Sequence, residues 1–500
     1  MHLNLGSILQ ANANEQPDAP VMRASGETIS YGELDRAARG VATCLHERGI
    51  VPGSKIALLV PNVPEFTIAY FGALYAGATV VPINVLAAAP EVSYFLEDSG
   101  ASLLIVHPLF EQAGREGAAP LGVPVVLATS EPEGETLGAL AAGAPIDVPH
   151  PTSPQDTAVI LYTSGTTGKP KGAELTHSNL LLNCAVVVPK LMPPSDEGHR
   201  ALATLPLFHS FGQTVIQNGM IASGGSFTLL PRFSPEDAFE LIERDRLTIF
   251  AGVPTMYFAL LHHRGDRAHD VSTLQACLTG GAPMPVEVLS AFEEKFNVEI
   301  LEGFGLSETS PIASFNVPSK PRKAGSIGYP VWGVEMAILD ENDEPLPDGE
   351  RGEICIRGHN IMKGYLGRPD ATKETLKNGW FHSGDIGYRD EDGCYWIVDR
   401  KKDMILRGGF NVYPREVEEV LYEHEDVVEA AVIGVPHESH GEEVKAVVAL
   451  GEGAGVSADE LRDFCKDRLA AYKYPRIVEI IPELPKGPTG KILKRELRDT

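Results

Sequence analysis

Cysteine is scarce in this chain, with six in 500 residues, and tryptophan scarcer still, with three. Cys44, Cys184, Cys277, Cys355, Cys394 and Cys465 lie far apart. No Cys-x-x-Cys pair is available to chelate zinc, and no dense framework to staple a small secreted fold, so a reducing, cytoplasmic setting is expected. Basic charge is in deficit too: 42 Lys and Arg against 68 Asp and Glu leave a net charge of −26. Nucleic acid is not expected as a partner, because binding it needs a broad basic surface. Long apolar runs are few. The uncharged stretch 66–90 could span a bilayer by length, but Pro82 and Asn84 interrupt it, and no Lys or Arg between Lys55 and Arg115 anchors it. A buried helix followed by a strand is expected there, without stable membrane insertion. Residues 1–16 lack the basic start and apolar core of a signal peptide, so export is not expected.

What the chain does have is apolar content, 43% of its residues, enough for several cores and about three folding units at roughly 150 residues each. Helix and strand patterns alternate. Ser30 with Glu33 reads as a capping box before a helix that carries Leu34, Ala37, Val41 and Leu45 on one face and ends at Gly49, and the run 55–60 reads as a buried strand. Ser234-Pro235 opens a second helix, followed by the apolar run 247–253. This alternation implies an α/β fold: a large multi-layer N-terminal domain, 1–400, with mostly parallel sheets. The segment 114–154, rich in Ala, Gly, Pro and Glu, reads as surface loop. The charged cluster Asp399-Arg400-Lys401-Lys402-Asp403 marks a boundary, and beyond it a small α+β domain, 401–500, is expected. Its helix 414–422, strand 428–435 and capped helix at Ser457 and Glu460 follow from the same signals. From Arg462 onward ten Lys or Arg stand against six Asp or Glu, a basic tail that could receive an anionic small molecule or could be a solvated face.

The run from Thr163 to Gly172 carries the strongest chemical signal. Ser164, Gly165, Thr166, Thr167, Gly168, Lys169, Pro170 and Lys171 follow an apolar strand, 158–162. Glycines let backbone N–H groups turn inward, hydroxyls donate to phosphate oxygens and lysines add charge, so a polyphosphate cradle is expected. It is not a Walker A loop, since Thr163 and Pro170 stand where that motif needs glycine and a hydroxyl. Gly305-Leu-Ser307-Glu-Thr309 is like a nucleophile elbow, but Thr309 replaces its last glycine.

With Pro206-Leu-Phe-His209-Ser-Phe-Gly212, Gly280-Gly-Ala-Pro283, Glu302-Gly-Phe-Gly-Leu-Ser-Glu308, Trp380-Phe-His-Ser-Gly-Asp385, Gly408-Gly409 and Pro485-Lys-Gly-Pro-Thr-Gly-Lys491 in that order, the chain resembles the acyl-adenylate-forming superfamily nearly end to end. That group includes acyl-CoA synthetases, firefly luciferase and the adenylation domains of nonribosomal peptide synthetases; the fatty-acyl-CoA synthetases are the nearest in kind. The resemblance implies ATP, Mg2+ and CoA as reaction partners and a small domain that swings about Lys402. It places the nucleotide at the 163–171 loop with Gly281, Ala282, Pro283, Glu302, Gly303, Phe304 and Ser307. Phe304 would stack on adenine where relatives usually carry Tyr, keeping the stacking without a hydroxyl contact. Asp385 and Arg400 would hold the ribose, and Thr163 and Glu308 would offer oxygen to the hard cation. Lys491 would reach the carboxylate and α-phosphate, where an ammonium neutralises the charge growing on phosphorus. Gly408 and Gly409 would line the pantetheine tunnel, with Tyr472, Tyr474 and Arg476 toward the nucleotide end of CoA. His209 and Phe211, with Gly303 and Gly305, would border the acyl group.

The acid is expected to be apolar. No Lys, Arg, Asp or Glu occurs between Arg200 and Arg232 or in 249–263. A second carboxylate or an α-amino group would therefore lack a partner. A fatty acid is favoured over an aryl or cinnamyl-type acid, and transfer to CoA over transfer to a carrier protein or oxidation of the adenylate. A binding protein that has lost turnover is the non-enzymatic alternative, against which Lys491, Glu308 and Asp385 all stand. No macromolecular partner is called for, and a homodimer stays open.

Overall fold

The computed structural model describes residues 2–163, 169–195, 198–265, 267–437, 439–451, 453–487 and 490–498. Two large sheets carry the first three hundred residues or so. The nine-stranded sheet has a parallel centre, in which Arg200–Ala203, Ser226–Leu229, Ile249–Gly252, Ala276–Thr279 and Ile300–Gly305 run in one direction. In the seven-stranded sheet, Lys55–Leu59, Thr79–Pro82, Ala101–Val106, Val125–Leu127 and Thr157–Thr163 are parallel, and Lys171–Thr176 and Gly364–Tyr365 continue it antiparallel. Parallel strands must be buried on both faces, which is why these segments read as unbroken apolar runs.

The helix Tyr31–Glu47 begins as its cap dictates: the Ser30 hydroxyl accepts the Glu33 N–H while the Glu33 carboxylate accepts the Ser30 N–H. Leu34, Val41 and Leu45 are buried as expected, but Ala38 rather than Ala37 completes the stripe. Its partner is the helix Pro64–Tyr75, where Gly72 permits close approach, since a Cβ there would overlap the Val41 side chain. That helix and the strand Thr79–Pro82 account for the uncharged stretch 66–90, and among the described residues no helix is long and apolar enough to cross a membrane.

One expectation needs correcting. The segment 114–154 is not simply loop: it holds most of the helix Glu111–Ala118, the edge strand Val125–Leu127 and the short helix Leu137–Ala141, whose Leu137 and Leu140 are buried. Its alanines and glycines are there for close packing, as at Gly117, where a Cβ would press on Val92. Beside these two sheets, whose centres are parallel as expected, stands a third, built from Val334–Leu339, Gly352–Gly358, Leu376–Lys377, Trp380–Arg389 and Tyr395–Arg400, which is antiparallel throughout.

The chain passes from this sheet to a fourth between Arg400 and Ile405. The fourth sheet is mainly antiparallel, with Gly441–Leu450 at its centre, the long strand Val427–His437 paired along one side of it and the helices Pro414–Tyr422 and Ala458–Lys466 packed on it. Ser457 and Glu460 cap the second of these reciprocally.

Candidate active site

The C-terminal ends of parallel strands from both large sheets open into one cavity of about 990 Å3. Residues following Thr79–Pro82, Arg200–Ala203, Ile249–Gly252 and Ala276–Thr279 line it, as do the ends of Thr157–Thr163 and Ile300–Gly305. Ligands favour this position in α/β sheets, because loops leaving the strand ends can diverge there and leave a crevice. The third sheet adds Glu353 and residues 381–384, and the C-terminal unit adds Lys402, Gly487, Lys491 and Leu493.

Glu308 sits at the seam. Its side chain is buried, and one carboxylate oxygen accepts the Thr163 hydroxyl at 3.2 Å and the Tyr365 hydroxyl at 2.9 Å. One acid thereby joins the ends of both sheets to the strand Gly364–Tyr365. Its second oxygen and Thr163 form a hard-oxygen donor set, the chemistry that suits magnesium. Lys171 lines the cavity with its ammonium 5.3 Å from the Tyr365 ring centre, whereas Lys169 lies over Tyr94 at 5.0 Å and is not part of the wall. The expected phosphate-cradle residues Ser164, Gly165, Thr166, Thr167 and Gly168 lie outside the described residues.

The loop before Lys491 delivers its side chain into the cavity. Gly490 takes a φ of +77°, and its carbonyl accepts the Thr255 hydroxyl at 3.3 Å; Gly487 N–H donates to the Lys491 carbonyl at 2.8 Å. Burial, and next the Arg400 guanidinium, lower the Lys491 pKa to about 8. His209 faces the same space; burial, and then the Lys491 ammonium, lower its pKa to about 4, so the ring is neutral at pH 7. A neutral imidazole beside an ammonium can accept a hydrogen bond without adding positive charge.

Asp385 and Arg400 are cross-strand partners, and their side chains approach to 3.3 Å. Burial raises the Asp385 pKa, and its second carboxylate oxygen is buried without a hydrogen-bond partner. An orphaned acceptor of this kind costs stability unless a donor arrives, and a pair of ribose hydroxyls would supply donors. Arg400 lines the cavity while Asp385 stands just behind Gly384.

Phe304, Gly303, Gly305, Ser307 and Gly281 line the wall, but Ala282, Pro283 and Glu302 do not. Glu302 is buried beneath the 280–284 loop, where it accepts the Met284 N–H at 3.1 Å, and burial pushes its pKa up to about 7. Its place is under the loop that carries Gly281. The side toward the 205–215 segment is apolar: Phe208, Phe211, Val215, Leu306, Ile312 and Phe315 face it, with no charged residue among them. Thr279 adds a fully buried hydroxyl without a partner.

Gly408 and Gly409 form the turn of a hairpin between Ile405–Arg407 and Phe410–Val412, with φ of +58° and +85°. Neither lines the cavity that Lys491 enters. Exposed Phe410 stacks on Tyr472 at 4.8 Å, and the Arg476 guanidinium lies 3.6 Å from the Tyr474 ring centre. The hairpin, Tyr472 and Arg476 thus occupy the small unit away from the cavity, whereas Lys402, though solvent-exposed, stands in the cavity wall itself.

The sequence reading missed Tyr365, Thr279 and Glu353. Tyr365 is 57 residues from the acid it contacts, and no local pattern signals that meeting.

A family of AMP-binding enzymes matches residues 9–366, and the AMP-binding enzyme C-terminal domain matches 416–491. The chain belongs to this family, the acyl-adenylate-forming superfamily, and its fold is the acyl-CoA synthetase-like one. Among its relatives, a feruloyl-CoA synthase of Amycolatopsis sp is 39% identical, with 99% of this chain and 98% of that protein covered. A long-chain-fatty-acid–CoA ligase of Bacillus subtilis (strain 168) is 37% identical, with 99% and 94% covered. An anthranilate CoA ligase solved with anthranoyl-AMP superposes with a TM-score of 0.94 at 29% identity, covering 100% of this chain and 97% of that one.

Proposed function

We propose that this enzyme couples an apolar carboxylic acid to CoA in two steps, forming an acyl-adenylate and pyrophosphate from ATP and then a thioester and AMP. A fatty acid is the substrate favoured. The observation that carries the reading is the division of one cavity into an uncharged side, from Phe208 to Val215, and a side holding Lys491, Glu308 and Arg400. A carboxylate must be brought against a triphosphate despite their like charge, and Lys491 stands where it can neutralise both. In the first step the acid's oxygen attacks the α-phosphorus and pyrophosphate leaves; Lys491 stabilises the charge that grows there. Thr163 and Glu308 would hold magnesium, which supplies Lewis-acid neutralisation of the phosphates. Asp385 and Arg400 orient the ribose, and Phe304 presents a ring face to the base. His209, uncharged, borders the carboxylate. In the second step the CoA thiolate attacks the acyl carbon and AMP leaves.

The small unit, 401–500, would turn about Lys402 between the steps, bringing Gly408 and Gly409 to the pantetheine. Gly409→Trp is therefore expected to leave ATP–pyrophosphate exchange within about threefold of wild type while thioester formation falls by at least about tenfold. A Cβ at Gly409 meets nothing within 4 Å, so the hairpin has room for the change, though its φ of +85° adds about 1 kcal/mol of strain. Equal loss of both steps would place the glycine in folding instead. A cytoplasmic location fits the six cysteines, all free.

A second reading, an aryl or cinnamyl-type acid, is supported by the aromatic wall of Phe208, Phe211 and Phe315 and by the unpartnered Thr279 hydroxyl, which a ring substituent could satisfy. The relatives include proteins named for both acid types. Measuring kcat/KM across octanoate, palmitate, 4-coumarate and malonate separates the readings. With a fatty acid as substrate, kcat/KM rises by roughly fourfold per methylene, about 0.8 kcal/mol, until the cavity floor is reached. Preference for 4-coumarate would replace the fatty acid with the aryl one, and preference for malonate would sink both.

A further inference from the structure

On the antiparallel third sheet, Cys355 and His382 face each other as cross-strand partners, and Glu353 lies two residues before Cys355 with a register shift between them. His382 Nδ1 is 3.5 Å from Cys355 Sγ and 3.4 Å from Glu353 Oε2, and the three donor atoms all lie within 4.8 Å of one another. A tetrahedral zinc with ligand bonds near 2.0 Å to nitrogen and oxygen and 2.3 Å to sulfur separates its ligand atoms by roughly 3.3 Å for nitrogen and oxygen and roughly 3.5 Å for nitrogen and sulfur. The spacing of the two measured edges matches those values. We propose that Glu353, Cys355 and His382 form a binding site for a zinc-class divalent cation, with its fourth position open to the nucleotide side of the cavity.

The surroundings are built for this. Gly384 N–H occupies Glu353 Oε1 at 3.0 Å and leaves Oε2 toward the imidazole. On the far side of the ring, Asp343 Oδ1 stands 3.8 Å from His382 Nε2, which is buried with no hydrogen-bond partner. At that distance Asp343 makes no hydrogen bond to the ring, but its charge lies on the side where a ligating histidine carries its remaining N–H proton. Asp343 is itself held by Lys377 at 2.6 Å and Asn378 at 2.7 Å. The group that competes for Glu353 Oε2 is Lys401, at 3.5 Å, whose side chain is 60% exposed and free to swing away. Cys355 is buried as a thiol, and coordination would release its proton to water.

Three protein ligands leave a site open, and Glu353, His382, Ser383 and Gly384 all line the cavity, so the vacant direction faces it. Thiolate and imidazole select zinc or cobalt and disfavour magnesium, which separates this site from the oxygen donors at Glu308. A second cluster, His437, His440 and Glu443, is less suited, because both Glu443 oxygens are engaged by Arg407.

The test uses the full chain, stripped with a chelator and titrated with Co2+. A thiolate-to-cobalt charge-transfer band saturating at one equivalent is expected, abolished by equimolar Zn2+ and unaffected by excess Mg2+. Cys355→Ala should remove the band and weaken Zn2+ affinity by at least about tenfold, with turnover in Zn2+-free buffer containing Mg2+ retained. A His437→Ala, His440→Ala double variant should keep the band. Cys355→Ser, nearly equal in volume, replaces the alanine variant if that one fails to fold, and His382→Gln should likewise lose the band. Absence of a band at one equivalent, its persistence in the Cys355 variant, or its loss in the His437, His440 variant would each overturn the site.

Discussion

Replacing Lys491 with alanine is expected to slow acyl-adenylate formation by about 10²- to 10³-fold, the scale of losing one donor aimed at developing charge. ATP affinity, measured by titration, should stay within about threefold, because the residue acts mainly on charge that exists only in the transition state. Near wild-type adenylation in this variant would remove Lys491 from the chemistry. The same residue sets a pH dependence. Its pKa is lowered to about 8 by burial and by Arg400. The ammonium, the useful form, is complete below that value and is lost as pH rises through it. kcat/KM for ATP in the adenylation step should therefore fall above pH 8, and a Lys491→Arg variant, charged at all accessible pH, should lose that limb even if it is slow.

The second large effect is expected at Glu308. Glu308→Gln keeps the volume and an acceptor for Thr163 and Tyr365 but removes the charge. Adenylation should drop by about 10²-fold, and the Mg2+ concentration giving half-maximal rate should rise by at least about tenfold. A merely structural glutamate would move the melting temperature without moving the magnesium curve. Activity restored by saturating Mg2+ supports the metal role, and an unchanged magnesium curve contradicts it.

Local signals were legible wherever the determinants were close in sequence. Ser30 and Glu33 cap as read, as do Ser457 and Glu460, and the helix Pro414–Tyr422 has the limits that its pattern implies. Lys491, Glu308, Thr163, Phe304 and His209 were all singled out and meet in one cavity. The failures share a physical cause. Ala38 displaces Ala37 because a helical stripe is decided by the neighbouring helix, not by spacing alone. In the third sheet, strands only partly covered lack the long apolar runs of the parallel ones. Tyr365 reaches Glu308, and His382 reaches Cys355, across 57 and 27 residues, so neither meeting leaves a mark on the local sequence.

The Thr163, Glu308 and Tyr365 contacts have a consequence for how the molecule tolerates change. The carboxylate that would face the cation also ties the rims of two sheets together, so it works as a clasp. Catalytic loss and loosening of that rim are thereby fused in one side chain. Tyr365→Phe separates them: it opens one strand of the clasp and leaves the charge in place.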